Sequence, residues 1–219
     1  MKKTAALPVI LLFFCIGALA QKQYKGTYSS VEKIPLDGLV AQLDSGTTDP
    51  MLRLLGKSAK IKLLEEAIDN RIEQRISFIA DDTSALVSMK VTKHSPQLQL
   101  SGNEMKQYLR RNKWYQYRQK SNAYEGNSEI KPLAYEFTGR KKKILGYVCH
   151  EAVGKGEKNK GHVLWICKTL PYTITPWPLT DKHLGAVLEF SDGLRMVKLT
   201  SLKQVSRKQR IKPLQKIRE

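Results

Sequence analysis

ILGYVCHEAVGKGEKNKGHVLWICKTL, residues 144–170, carries apolar and β-branched residues at both ends and a polar, glycine-rich middle. Ile144, Leu145, Tyr147 and Val148 stand on one side and Val163, Leu164, Trp165 and Ile166 on the other, with Gly154, Gly156, Asn159 and Gly161 between them. Such a pattern predicts two strands and a turn. With the turn centred on Lys158, Cys149 falls opposite Cys167, and cross-strand neighbours at a non-hydrogen-bonded position lie close enough for a disulfide. A bridge is the favoured reading. Two buried free thiols, or a metal shared with His150 and His162, are its alternatives, although these spacings match no metal signature.

Further hairpins flank this one. Residues 184–190 and 194–202 enclose Ser191-Asp192-Gly193, and an Asp-Gly turn is a strong hairpin signal. Leu170-Pro171 and Thr175-Pro176-Trp177-Pro178 form a proline-stiffened connection suited to a rim or an edge. Towards the N-terminus, residues 133–137 read as a strand and Arg140, Lys141, Lys142 and Lys143 as a turn. Ile72, Gln74, Ile76, Phe78 and Ala80 alternate with Arg71, Glu73, Arg75 and Ser77 before Asp81-Asp82, and residues 86–91 complete a hairpin. Residues 103–113 fit a short helix or a loop. Trp114, Tyr115, Tyr117 and Tyr124, set among cations, either stack on bases or sugars or are strand residues with aromatic side chains inward, the second being preferred.

Asp49-Pro50 offers an N-cap and a first-turn proline, so a helix is expected to about residue 70. Leu52, Leu55, Ala59, Leu63 and Ala67 form a stripe at spacings of three and four that should face a core, with Gly56 inside it as a point that can split the helix. Residues 1–20 combine Lys2 and Lys3, an apolar run and Ala18-Leu19-Ala20, the pattern of a signal peptide, so the chain is expected to be exported to the periplasm or the outer-membrane periphery. No stretch reaches the roughly 20 apolar residues of a transmembrane helix. The expected organisation is a signal peptide over 1–20, a loosely packed leader over 21–48, a single antiparallel β domain with its N-terminal helix over 49–205, and a basic tail over 206–219.

The 38 Lys and Arg against 20 Asp and Glu give a formal charge of +18. Much of the excess lies in three clusters: Arg110, Arg111 and Lys113 with Arg118 and Lys120; Arg140 with Lys141, Lys142 and Lys143; and the tail. This charge favours anionic partners, or serves only to keep the protein soluble. For an exported protein, acidic lipid, lipopolysaccharide or an envelope protein comes before nucleic acid. No nucleophile with its base, paired-carboxylate site, metal set or phosphate loop stands out, so neither a catalytic residue nor a cofactor is expected. Glu189 lies in an apolar strand, where alternation points it outward; facing inward, it would have a raised pKa.

Ile144-Leu145-Gly146-Tyr147-x-Cys149, Trp165, Pro171, Pro176-Trp177 and Gly185-Ala186-Val187-Leu188-Glu189-Phe190, in that order and spacing, resemble the GLPGLI family of small exported bacterial proteins. The likeness spans roughly residues 72–202. Lys182, His183 and Leu184 replace the first Gly-Leu-Pro of the name-giving segment, which marks a divergent member and puts the local turn geometry in doubt. Members are envelope proteins of uncharacterised function, so the resemblance supplies a motif (Gly146, Tyr147, Trp165, Pro176, Trp177, Gly185, Leu188 and Glu189) and no catalytic residue. It implies a mainly β (α+β) fold, a curved antiparallel sheet or half-open barrel built of hairpins with the helix packed on it. The function expected is a non-catalytic binding or carrier module for an amphiphilic or anionic envelope ligand. An accessory subunit docking on an envelope complex through its tail or a sheet edge is the alternative.

Overall fold

The computed structural model describes residues 22–37, 40–41, 54–67, 70–94, 104–110, 113–129, 134–156, 160–176, 184–205 and 211–218. The expected signal peptide, the helix start at Asp49-Pro50, Arg111 and Trp177 lie outside the described residues. Twelve strands form one curved sheet: β1 (Gln23–Lys33), β2 (Arg71–Ala80), β3 (Ser84–Lys93), β4 (Glu104–Arg110), β5 (Lys113–Arg118), β6 (Ala123–Glu129), β7 (Tyr135–Ile144), β8 (Tyr147–Gly154), β9 (Val163–Cys167), β10 (Ala186–Ser191), β11 (Arg195–Val205) and β12 (Lys216–Arg218). Their order across the sheet is β12-β6-β5-β4-β3-β2-β1-β11-β10-β9-β8-β7. Every neighbouring pair is antiparallel except β12 with β6. The mainly β, curved-sheet expectation is met.

The β8–β9 register sets His150 opposite Ile166 and Glu151 opposite Trp165, which centres the turn on Lys158 as the sequence suggested. The expected bridge does not form. Cys149 and Cys167 are buried free thiols. Each sulfur is engaged two residues away along its own chain, Cys149 Sγ with the Tyr147 carbonyl at 3.5 Å and Cys167 Sγ with Thr169 Oγ1 at 3.2 Å.

The expected loose leader instead contains a central strand, with β1 pairing along its length with both β2 and β11. Tyr24 and Tyr28 are buried; Tyr28 donates a hydrogen bond to the Val187 carbonyl at 2.9 Å, and its ring meets Phe78 at 5.3 Å. Gly26 makes this packing possible, because a Cβ there would lie 2.5 Å from Phe78 Cζ and from the Ser201 carbonyl oxygen. Within the expected helical span lies α1 (Lys57–Ala67). Gly56 lies just before it, with Leu54 helical on the other side, so the glycine splits the helical span; its carbonyl accepts the amides of Ala59 and Lys60. The stripe is incompletely covered, with Leu63 46% exposed while Lys60 is buried.

Arg140, Lys141, Lys142 and Lys143 belong to β7, not to a turn. The turn is Leu145-Gly146, both at positive φ (49° and 85°), as a two-residue hairpin loop requires. Long cations suit an edge strand, where they discourage pairing with foreign strands. Residues 103–113, ambiguous between helix and loop, supply β4. The tail also differs from expectation: Ile211 is buried against Tyr108, Tyr115 and Tyr124, and Tyr108 Oη donates to the Ile211 carbonyl at 3.3 Å. β12 then runs parallel to β6, covering its edge.

One apolar core joins residues of β1, β2, β3, β4 and β5 to residues of β8, β9, β10 and β11, so the sheet curls about a single inner face. That face carries Tyr28, Ile76, Phe78, Val87, Leu109, Trp114, Leu164, Ile166, Val197 and Leu199. The proline-bearing connection is not at a rim. Thr173, Ile174, Thr175 and Pro176 are buried; Thr173 Oγ1 donates to the Asp81 carbonyl at the β2–β3 turn, and the Ile174 carbonyl accepts the Val187 amide. Proline lacks an N–H, which leaves fewer donors to satisfy in such a buried extended segment. It plugs the curve at the β2–β3 turn.

Candidate functional site

The strands alternate, and the ladder register fixes what shares the inner face at the end away from the plug. Ile76, Met89 and Met105 form one rung across β2, β3 and β4, and Gln74 pairs with Val91 one rung further out. One rung closer to the plug, Phe78, Val87, Gln107, Gln116 and Glu125 run across β2 to β6. Leu109 and Trp114 follow it. Over the outer rungs opens a pocket of about 830 Å³ lined by Gln74, Met89, Val91, Met105, Gln116 and Arg118, which share the face, together with Glu104, Lys106, Tyr117 and Gln119 from the alternate positions and the β5–β6 turn. Two adjacent methionines give this lining an adaptable apolar surface.

Charge around the pocket is compensated. Lys106 Nζ lies 3.4 Å from Glu104, and Arg118 Nε lies 4.0 Å from Glu125, whose carboxylate also accepts the Ser121 hydroxyl at 2.6 Å. Both ion pairs are largely solvated, so each contributes little to stability. The Ser88 hydroxyl at 3.0 Å, followed by Lys106 and Lys90, holds the Glu104 carboxyl below its ordinary range.

Of the basic residues singled out in the sequence, Arg118 lines this pocket; Arg110, Lys113 and the β7 cations lie elsewhere. Arg110 and Lys113 oppose each other at the end of the β4–β5 pair. Arg140 and Lys142 lie at the other side of the sheet, both on one face of β7, and each is paired with a carboxylate. Lys142 Nζ is 2.7 Å from Glu189, and Arg140 is 3.1 Å from the buried Glu151, which also accepts the Thr138 hydroxyl at 2.7 Å. Both cations lie over Trp165, at 4.1 Å for Lys142 and 5.9 Å for Arg140. A bulge in β7 at Gly139 (φ 84°) brings Thr138 and Arg140 over Glu151. Lys141 and Lys143 are exposed. Glu189 is half-buried on the face away from the main apolar rungs, so the outward reading holds with an ion pair added to it.

The family-motif residues are scaffold. Gly185, at φ 94°, lets the chain enter β10 where a Cβ would meet the Cys167 carbonyl oxygen at 2.5 Å. Leu188 is fully buried, Pro176 belongs to the plug, and Tyr147 packs on the core. Burial, and next to it Cys167, pushes the Cys149 thiol up to about 11, so its nucleophilic thiolate is scarce at neutral pH. Among the described residues no group of three metal-ligating side chains comes together, and no helix is long and apolar enough to cross a membrane. The lining residues Met89, Met105 and Gln116 went unremarked in the sequence. Their signal was strand alternation carrying methionine and glutamine where a closed core carries Leu, Ile and Val.

No family model matches the chain, and no curated protein matches it. Among solved structures, PNGF-II in space group C2 is similar over 86% of this chain and 28% of that one, at 15% identity and a TM-score of 0.49. This chain therefore spans little more than a quarter of that protein. An uncharacterized conserved protein from Thermus thermophilus is similar over 89% of this chain and 88% of its own (11% identity, TM-score 0.41). The LolA superfamily protein NE2245 from Nitrosomonas europaea is similar over 84% and 85% (8% identity, TM-score 0.30). Similarity at this level carries no functional argument, so function has to be reasoned from the site.

Proposed function

We propose that this protein is a non-catalytic binding or carrier module for an amphiphilic ligand, exported to the bacterial periplasm as a divergent member of the GLPGLI family. The observation that carries the binding reading is the pocket itself. Its volume of about 830 Å³ falls within the roughly 300–1,000 Å³ of small-ligand sites. Its lining includes the Met89–Met105 pair and the cations Lys106 and Arg118. Export is supported by the residue pattern of 1–20, and family membership by the segment from Gly185 to Phe190.

The test uses 8-anilinonaphthalene-1-sulfonate, an anionic amphiphile, titrated into the whole chain. Saturable binding is expected at one site and should be abolished by Met105→Arg. Met105 is 40% exposed, so the variant keeps the fold and its circular dichroism. Binding that is absent, or unchanged in that variant, refutes the proposal.

The accessory-subunit reading keeps one specific observation: among the described residues β7 has a strand neighbour on one side alone, and it presents Lys141 and Lys143 to solvent. The tail route loses its support, because Ile211 and β12 are used within the chain. Co-purification of a stoichiometric envelope protein, lost when Lys141 and Lys143 are replaced by glutamate, would decide for that reading.

A further inference from the structure

The outer face of β11, β1, β2 and β3, on the side away from Tyr28, Ile76, Val87 and Val197, carries cations in an arrangement that costs the fold stability. Lys33 stands directly opposite Arg71, Arg75 opposite Lys90, and Lys25 opposite Lys203, all of them exposed. Like charges at directly opposed positions repel. The carboxylates beside them are already engaged. Glu189, opposite Lys198, is held by Lys142 at 2.7 Å; Glu104, opposite Lys90, is held by Lys106 at 3.4 Å and the Ser88 hydroxyl at 3.0 Å. Glu73 pairs with Lys93 at 3.6 Å, and Asp192 turns back to accept the amides of Leu194 and Arg195.

Set among these cations is an apolar corner. Val31 pairs with Met196, and the Leu194 carbonyl accepts the Lys33 amide at the end of the same two strands. Val31, Met196 and Leu194 are 39%, 59% and 53% exposed. Lys33 and Arg71 lie one same-face rung to one side of this corner, and Lys198 and Arg75 one rung to the other, each about 7 Å along the strands. Apolar side chains ringed by cations match a lipid surface with anionic headgroups, whose phosphates take the cations and whose acyl boundary takes the apolar groups. An acidic polysaccharide matches the charge alone. It leaves Val31, Leu194 and Met196 against water, and the hydroxyls of Thr27, Thr200 and Ser201 bond to one another rather than outward. We infer that this face docks on an anionic lipid bilayer, with Val31, Leu194 and Met196 entering the interface and Lys33, Arg75, Lys90 and Lys198 at the headgroups. Gln74 and Val91 of the pocket lining follow Glu73 and Lys90 in β2 and β3, so the docking corner and the pocket share one end of the sheet. The surface is separate from the pocket, and its docking needs no ligand there.

The experiment floats the full chain with vesicles of phosphatidylcholine alone or with phosphatidylglycerol added, at physiological salt. Residues 1–20 are common to every variant, so differences between variants report on this face. Each cation near an anionic surface is worth about fivefold in affinity, so Lys33→Glu with Arg75→Glu should weaken binding to the anionic vesicles about tenfold or more. Both substitutions turn a like-charged pair into an opposite one, so the melting temperature should hold or rise, which shows that the variant is folded. Met196→Asn should weaken binding about fivefold with no change of charge. Lys141→Glu with Lys143→Glu changes the net charge equally at exposed positions of β7 and should leave binding within about twofold, because salt screens charges outside the contact. Equal binding of the native chain to both vesicle types overturns the inference, as does an equal loss from the β7 and the outer-face substitutions. Met196→Asn binding as the native chain does also overturns it, and capture by dextran sulfate would then assign the face to acidic polysaccharide.

Discussion

Ile211→Ala measures whether the last residues belong to the fold. Ile211 is 6% exposed and packs on Tyr108, Tyr115 and Tyr124, whose rings lie 6.1 and 6.2 Å from one another through Tyr108. Truncating a buried isoleucine to alanine costs about 2–5 kcal/mol, the upper part where the surroundings cannot close in. Here the rings are held by their strands, but the cluster is small and lies near one side of the sheet, so we expect about 2–3 kcal/mol. The Tyr108 bond to residue 211 goes to a backbone carbonyl and survives the substitution. Tyr108→Phe isolates that bond and should cost about 0.5–1.5 kcal/mol. Urea unfolding followed by circular dichroism reads both. A loss for Ile211→Ala below about 0.5 kcal/mol, the level of an ordinary surface change, would show that the tail does not dock, and the covered β6 edge would have to be abandoned.

Gly26→Ala should be more damaging than its one added carbon suggests. The Phe78 ring can shift but the Ser201 carbonyl cannot, so a loss of about 1–3 kcal/mol or more is expected in thermal melting. Cys149 should resist iodoacetamide at pH 8: with its pKa pushed up to about 11, only about one thiol in a thousand is ionised, and denaturation should speed labelling about a hundredfold. In the unfolded chain that thiol ionises near 9.0, whereas the folded chain keeps the proton to about 11. Its contribution to stability is therefore full below pH 9 and lost as pH rises through that window, which a pH series of melts on the native chain and Cys149→Ala would read. Lys142→Met breaks a half-exposed ion pair with Glu189 and the contact over Trp165; about 1 kcal/mol is expected in urea unfolding, with a changed tryptophan emission.

The hairpins were legible because local alternation and turn residues fix them. The β8–β9 register matches a turn centred on Lys158, in the middle of the glycine- and asparagine-bearing segment, and the Asp192-Gly193 turn closes with Asp192 Oδ1 accepting the amides of Leu194 and Arg195. β1 was not legible, since its evidence is long-range: Gly26 argues against a strand until Phe78 and Ser201 occupy the space above it. The tail hid Ile211, Pro213 and Ile217 among cations, whose composition reads as solvated although the apolar residues decide the packing. Arg140, Lys141, Lys142 and Lys143 read as a turn because four consecutive cations are rare in a strand, and only an edge position with Glu151 and Glu189 alongside makes them compatible with one. The pocket was missed for a related reason: a cavity is a gap between rungs supplied by four different strands, and single-strand patterns do not record gaps.

β1 also sets the order in which the chain can be completed. Thr27 bonds to Thr200, 173 positions away, while within β2 to β6 and within β7 to β11 each strand pairs with the next in the chain, the plug-bearing segment linking β9 to β10. Local pairings form early and distant ones late, because loop closure must precede their reward. The neighbouring pairs within each run are local, and β1 can join the two runs into one ladder only after β11 exists. Until then the first strand made has no second neighbour, and each run exposes an edge beside it. A chain stopped before Arg195 would therefore lack β11 and leave β1 paired with β2 alone, so β7 to β10 would be held to the rest through the plug and the shared core without a continuous ladder.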